Sequence, residues 1–280
     1  YLLGKNIKEI FRKELECGED LILEITSSSI LQEDKKIGSL IILHNITREK
    51  QIEKTKNDFV TISAHQLRTP LSAIQWSLER LFQSKAGELA ATQKELLERI
   101  SKENKRMVSV VNELLNLVKI EEGKYLYEFS SVSLEELIQS VIKYYEEQIK
   151  EKEIKFEFQV SGRKMPKIKI DAGKIEIVIR ALLDNAIRYT LPGGIIKVAL
   201  GLKKKEIEFS IMDTGIGIPK DQQQNIFKKF FRASNALKME TEGNGNQLFI
   251  AKNIIEAHKG KIWFESEEDK GTTFYFNLPL

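Results

Sequence analysis

The sequence predicts an α+β protein built from a short β-rich segment, two long amphipathic helices, and a sheet covered by helices. Three observations carry that expectation. Leu21–Thr26 and Ile37–Leu43 are runs of β-formers near the N-terminus. Apolar residues at Leu67, Leu71, Ile74, Leu78 and Leu81 are spaced 4, 3, 4 and 3 apart, which is a heptad seam. After Gly123, helical and strand patterns follow one another, and strand patterns close the chain. With 280 residues and 41% apolar content, the chain can build about two cores and is too apolar to be a disordered tail.

Residues 1–47 read as a short helical piece followed by a hairpin turning at Gln32-Glu33-Asp34-Lys35-Lys36. Two strands alone are marginal, so this segment reads as the end of a larger sheet domain. Residues 48–122 read as a helical hairpin. Arg48 to Asn57 is nearly all polar helix formers, and Ser84 to Ala91, with Gly87, is the loop. A second seam runs through Leu96, Ile100, Met107, Val111, Leu114 and Val118. One hairpin cannot bury both seams, and the expected solution is a homodimer forming a four-helix bundle.

Residues 123–280 read as an α/β sandwich. Val132 to Lys150 is an amphipathic helix with Ser133 as N-cap and Glu136 at the capping-box position. Lys155–Val160 alternates as a strand, and Ala172–Tyr189 is a second helix. Ile195–Leu202 and Ile207–Met212 form a hairpin around Lys203-Lys204-Lys205, which reads as a solvated turn. Leu248–His258 is a third helix, and Ile262–Glu265 and Thr273–Leu278 close the sheet. The expectation is antiparallel strands with helices on one face.

Composition removes several function classes. The charge balance, 44 − 41 = +3, is spread along the chain and predicts no nucleic-acid surface. Cys17 is the single cysteine, so no intrachain disulfide forms and a reducing, cytoplasmic compartment is expected. Cys17 and three scattered histidines do not build a structural zinc site. No apolar run approaches about 18 residues, so no membrane contact is expected within these residues. The chain opens on Tyr1 in mid-pattern and shows no signal peptide; it reads as an excerpt, compatible with a membrane anchor upstream.

Four segments carry chemistry-bearing residues. In Ser63-Ala64-His65-Gln66-Leu67-Arg68-Thr69-Pro70, His65 lies off the seam and faces solvent, with Thr69 one turn on. Pro70 interrupts the helical hydrogen bonding beside it. A lone surface histidine is the bland reading; a neutral imidazole is also a competent nucleophile. In Leu183-Asp184-Asn185-Ala186-Ile187-Arg188-Tyr189-Thr190, Asn185 sits inside a helix among apolar residues. It is either a satisfied buried amide or an oxygen ligand suited to Mg²⁺. Asp213-Thr214-Gly215-Ile216-Gly217-Ile218-Pro219 follows a buried strand. It is a plain turn, or it presents a carboxylate to an amino-purine with backbone free to approach. Glu242-Gly243-Asn244-Gly245-Asn246-Gln247-Leu248 is a flexible loop, or a loop entering a helix whose N-terminus takes phosphate.

Taken as a set over roughly residues 48–280, these segments resemble the bacterial two-component sensor histidine kinases. His65 sits in the phosphoacceptor box, Asp184-Asn185-Ala186 in the N box, and Asp213-x-Gly215-x-Gly217 in the first glycine box. Ile226 to Arg232 matches the phenylalanine-containing box, Gly243-Asn244-Gly245 opens the second glycine box, and Gly271-Thr272-Thr273-Phe274 matches the closing strand. Residues 1–47 resemble the C-terminal part of a PAS sensor domain through Asn45-Ile46-Thr47. The resemblance implies a catalytic ATP-binding domain of the Hsp90-like fold over 123–280. That domain phosphorylates His65, and the phosphoryl group then passes to an aspartate of a response regulator. It also implies that Asn185 holds Mg²⁺, Asp213 takes the adenine amino group, and Gly215 and Gly217 shape the pocket. Arg188, Tyr189 and Arg232 would lie near the nucleotide, Thr273 near the adenine, and Thr69 would orient water in dephosphorylation.

Four residues in three motifs depart from the family pattern. Gln66 stands where an acid usually follows the phosphohistidine, and an amide takes no proton. Ala181 stands where the N box usually opens with Asn. Asn246-Gln247 replaces Leu-Gly in the second glycine box, which predicts a blocked phosphate approach. These departures point toward the rival reading, a catalytically impaired or phosphatase-biased scaffold that binds a response regulator; the intact Asn185, Asp213 and Arg232 count against it, and the ATP-dependent kinase is the leading expectation.

Overall fold

The sheet of the C-terminal half is mixed rather than antiparallel, and the strand that makes it so shows how the chain is wound. In this computed structural model the described residues are 10–17, 21–32, 35–83, 91–161, 165–203, 205–240 and 244–280. The chain divides into two compact units, Tyr1–Leu81 and Phe82–Leu280.

The first unit opens on a three-stranded antiparallel sheet: β1 (Ile10–Glu16), β2 (Ile22–Gln32) and β3 (Lys35–Asn45), in the order β1-β2-β3. The hairpin of β2 and β3 is as expected. Of the helical piece expected before it, residues 1–9 lie outside the described residues, and residues 10–16 form a strand on the edge of β2, with an irregularity between Ile10 and Lys13 where Arg12 has φ 47°. Cross-strand pairing decides here over local propensity. Helix α1 (Thr47–Gln83) then runs on through Pro70. Thr47 closes the junction, its hydroxyl accepting from the Ile22 amide at 2.9 Å and donating to Asn45 Oδ1 at 2.6 Å. Along the seam Leu71 and Leu78 are buried, whereas Leu67, Ile74 and Leu81 remain 45–50% exposed.

The second unit contains α2 (Ala91–Glu121), whose Val111, Leu115, Leu117 and Val118 are buried and whose Leu96, Ile100 and Met107 are exposed. The expected loop over Ser84–Ala91 lies almost wholly outside the described residues, as does Lys204 of the basic turn. The rest is the sandwich: β4 (Ser130–Val132), α3 (Leu134–Glu151), β5 (Lys155–Val160), β6 (Ile168–Ile170), α4 (Ala172–Tyr189), β7 (Ile195–Lys203) and β8 (Glu206–Asp213), followed by a 3₁₀ turn at Gln223–Asn225, α5 (Ser234–Met239), α6 (Gln247–Ala257), β9 (Lys261–Glu267) and β10 (Gly271–Pro279). Five strands form one sheet in the order β5-β7-β8-β10-β9. β5 pairs parallel with β7, correcting the all-antiparallel expectation. The connection between them carries α4, and a crossover through a helix is what parallel neighbours require. A second, two-stranded sheet of β4 and β6 was not foreseen.

The core lies between the sheet and α3, α4 and α6. Inward positions alternate along the strands as Ile196, Val198, Leu200 and as Ile207, Phe209, Ile211, all at most 1% exposed. Phe209 stacks on Phe276 across β8 and β10 at 4.7 Å. Helix α4 meets them with Ile175, Val178, Ile179, Leu182 and Leu183, and α6 with Ile254 and Ile255. Each such side chain contributes about 1.5–3 kcal/mol on burial.

The helix ends are fixed by side chains. Ser133 Oγ accepts from the Glu136 amide at 3.3 Å. Asp171 caps α4, its Oδ1 accepting from the Lys174 amide and its Oδ2 from the Glu128 amide. The Asp171 amide donates to His258 Nε2 at 3.0 Å while His258 Nδ1 meets the Ile254 carbonyl at 2.7 Å, so the imidazole is neutral with its proton on Nδ1. Burial holds the pKa of His258 below its usual value. Lys152 Nζ donates to the carbonyls of Ile187, Arg188 and Thr190, closing the C-terminal end of α4.

Candidate functional site: a cavity at the end of strands β8 and β10

The inward row of β8 runs Ile207, Phe209, Ile211, Asp213, so the alternation that builds the core places a carboxylate at its end. Asp213 is 7% exposed. Its Oδ1 accepts from the Gly215 amide at 2.8 Å and the Thr272 amide at 3.3 Å. Among the described residues, its Oδ2 has no hydrogen-bond partner. Burial raises its pKa from 3.8 to about 6, against the pull of those two amide bonds.

A cavity of about 390 Å³ opens over this carboxylate. Helix α4 contributes Asn185, Arg188 and Tyr189 to its wall. Arg188 is held by Asp184 at 2.9 Å, one turn back. Asn185 is partly buried, and its side chain makes no hydrogen bond to any described residue. The satisfied-amide alternative is therefore not what is found; Asn185 stands on a cavity wall. Among the described residues no group of three His, Cys, Asp or Glu could hold a metal. One neutral oxygen ligand suits Mg²⁺ that arrives on phosphates and keeps several waters.

The loop after β8 forms the floor. Gly217 has φ +61°, and a Cβ there would stand 2.0 Å from the Glu267 carbonyl oxygen, so only glycine fits. Gly215 is buried behind the wall and is not part of it. Asn235 Nδ2 pins this loop by donating to the Ile216 and Gly217 carbonyls. The far side consists of Phe231 and Arg232, then Asn244, Gly245 and Gln247. The Arg232 guanidinium donates to the Glu240 carbonyl. Asn246 is buried, and its Oδ1 accepts from the amide of Phe230, whose φ is 58°. Helix α2 adds Arg106, Ser109, Val110 and Glu113 to the wall.

Of the residues singled out in the sequence, the cavity gathers Asn185, Arg188, Tyr189, Asp213, Gly217, Arg232 and Gly245. Thr273 is not on its wall. It pairs with Met212 and faces the opposite side of the sheet, so Thr272, inward by the two-residue period, takes its place. Gly243 lies outside the described residues. Ala181 is buried and does not reach the cavity. Asn235 and the four α2 residues were missed. Strand parity could have found Thr272, but no local pattern marks the α2 residues. His65, Gln66 and Thr69 belong to the other unit. All three are exposed on α1, with Thr69 Oγ1 donating to the His65 carbonyl at 3.4 Å.

Residues 170–280 match the family of histidine kinase-, DNA gyrase B- and HSP90-like ATPases, and residues 55–123 match the His Kinase A (phospho-acceptor) domain. The chain is 32% identical over 270 residues to the sensor histidine kinase WalK of Bacillus subtilis, covering 95% of this chain and 44% of that protein. It is 32% identical over 267 residues to the adaptive-response sensory kinase SasA of a Synechococcus species, covering 95% of this chain and 70% of that protein. The structure of histidine kinase ThkA in complex with response regulator protein TrrA superimposes with a TM-score of 0.53 and 27% identity, over 97% of this chain and 78% of ThkA. The chain thus spans under half the length of the first of these relatives.

Proposed function

The chain belongs to the sensor histidine kinases, and from that premise we propose that it transfers the γ-phosphoryl group of ATP to His65 and passes it on to an aspartate of a response regulator. The observation that carries this reading is the Asp213 carboxylate, with one oxygen committed to two backbone amides and the other left without a partner at the wall of a cavity of about 390 Å³. That second oxygen accepts the adenine amino group. Asn185 presents its amide oxygen to Mg²⁺, which when bound neutralises phosphate charge. Arg188 and Arg232 lie where the phosphates would run. At His65 an imidazole nitrogen forms the bond to the γ-phosphorus as the bond to the β–γ bridging oxygen breaks, and the displaced imidazole proton leaves to solvent. Gln66 orients the ring but cannot accept that proton.

The half-exposed seam residues Leu67, Ile74 and Leu81 support a homodimer closing a four-helix bundle. The three strands before α1 are compatible with the end of a PAS-like domain. No helix among the described residues is long and apolar enough to cross a membrane; ATP as donor would place these residues in the cytoplasm. Thr69, one turn from His65, keeps a second, phosphatase-biased reading in play.

Incubation with γ-labelled ATP and Mg²⁺ tests the proposal. Acid-labile, base-stable label is expected on the parent and lost in His65→Ala, with nucleotide affinity unchanged by calorimetry. Label persisting in the variant would move the phosphoacceptor to His44 or His258. No label on a parent that binds ATP would leave the scaffold reading.

A further inference from the structure

Helix α2 is tied to both segments that frame the far side of the cavity. Gln247, the first residue of α6, donates from Nε2 to Glu113 Oε1 at 3.3 Å. Two turns farther along α2, Glu121 pairs with Lys229, whose ammonium also lies 5.1 Å from the Phe249 ring centroid. Asn246 joins the two segments to each other through the Phe230 amide. The α6 terminus, the 226–232 segment and α2 are therefore one connected body at the rim.

Glu113 holds an unfavourable position in that body. Its second oxygen, Oε2, is buried and lacks a hydrogen-bond partner among the described residues. A carboxylate oxygen kept from water without a donor is costly, and opening the contact would return it to solvent. Glu113 also lines the cavity, so its charge has the same sign as any phosphate entering there. The contact between Glu113 and Gln247 is thus favourable at Oε1, unfavourable at Oε2, and opposed by an anionic ligand.

We propose that Glu113 and Gln247 form a latch: with their hydrogen bond made, α2 closes the cavity against a nucleotide's phosphates, and loading of ATP requires the bond to break. This rests on the nucleotide-site reading given above and gives Gln247 a conditional role. Its side chain is not a fixed obstacle to phosphate but one half of a contact whose other half is on α2. Linkage then makes the effect reciprocal: whatever withdraws α2 promotes loading, and loading frees α2.

The test measures binding of a non-hydrolysable ATP analogue with Mg²⁺ to the full chain, by calorimetry, for the parent, Glu113→Ala, Gln247→Ala and the double variant. Each single variant is expected to bind about ten- to a hundredfold tighter, the worth of one hydrogen bond to a charged group. The double variant should bind no tighter than either single, because each already opens the latch. Hydrogen exchange of the parent should rise over residues 106–121 when the analogue binds, and should not rise in Gln247→Ala. A gain confined to Glu113→Ala would mean charge repulsion alone, and a gain confined to Gln247→Ala steric obstruction alone; either overturns the latch, as do additive gains. Affinity unchanged in every variant overturns the latch while leaving the nucleotide site intact. No binding by the parent or any variant overturns the nucleotide site, and the latch with it.

Discussion

Replacing Asp213 by Asn should make the folded chain more stable and, at the same time, a weaker binder of nucleotide. Burial raises the pKa of this carboxyl from 3.8 to about 6, so the folded chain binds its proton more tightly than the unfolded chain does. For a group raised in this direction, the contribution to stability is fully present below 3.8 and is lost as pH rises through about 6. The full difference is about 3 kcal/mol above pH 7, and about half of that at pH 5. An asparagine retains an Oδ1 acceptor for the Gly215 and Thr272 amides and carries no charge to desolvate. Urea unfolding can be followed through Trp263 on β9 in a Trp76→Phe background, since the chain has two tryptophans. The Asn variant should exceed its parent by a margin that roughly doubles between pH 5 and pH 7.5. Its Nδ2 would oppose the adenine amino group with a second donor, so affinity should fall at least about tenfold. In the parent, affinity should weaken as pH falls below about 6, where the carboxyl protonates. A variant less stable than the parent at pH 7.5, or a margin independent of pH, would refute the account of a carboxylate held at the end of an apolar row.

Three further outcomes are expected. Ile74→Asp should convert a dimer into a monomer in light scattering at micromolar concentration with little loss of helicity, because Ile74 is 45% exposed in the single chain while its seam neighbours Leu71 and Leu78 are already buried within it. Lys152→Met should cost about 1–3 kcal/mol in urea unfolding, since three carbonyls at the end of α4 lose their donor. Gln66→Glu should accelerate phosphohistidine formation at saturating ATP by up to about 10²-fold through general-base assistance, with nucleotide affinity unmoved; a Glu variant no faster than its parent would mean that solvent takes the proton unaided.

Helix α4 was legible to the residue, Ala172–Tyr189, because a capping Asp171, an apolar 3.6-residue period and the Leu191-Pro192-Gly193 stop all agree locally. The β7–β8 hairpin was legible for the same reason, since its alternation and turn lie within one stretch of sequence. Strand β1 was not, because its charged run Arg12-Lys13-Glu14 reads as helix-forming and only its ladder with β2 makes it a strand. The direction of β5 depends on where α4 returns the chain, which no pattern within Lys155–Val160 contains. The site divides in the same way. Asp213 could be read from its strand and its glycines. Thr272 was hidden one residue from the position chosen, and Glu113 and Arg106 were invisible because only tertiary placement brings α2 to the cavity.

The altered glycine box separates two uses of glycine that the sequence presents as one. Gly245 has φ +70°, and a Cβ there would lie 2.5 Å from the Phe231 carbonyl oxygen, so conformation and space both demand the glycine that is present. Position 247 is different. It begins α6 with ordinary helical backbone, and Asn246 before it has φ −102° and ψ −16°. At neither residue does the backbone need glycine; what a side chain at 247 changes is occupancy of the cavity rim. The two polar residues there have partners: Asn246 holds the Phe230 amide, and Gln247 reaches Glu113. A replacement that damaged the backbone path could be undone only by restoring glycine. A replacement that added a contact can be undone from the other side, by altering Glu113 alone, and this difference makes the state of α2 a determinant of when the cavity can fill.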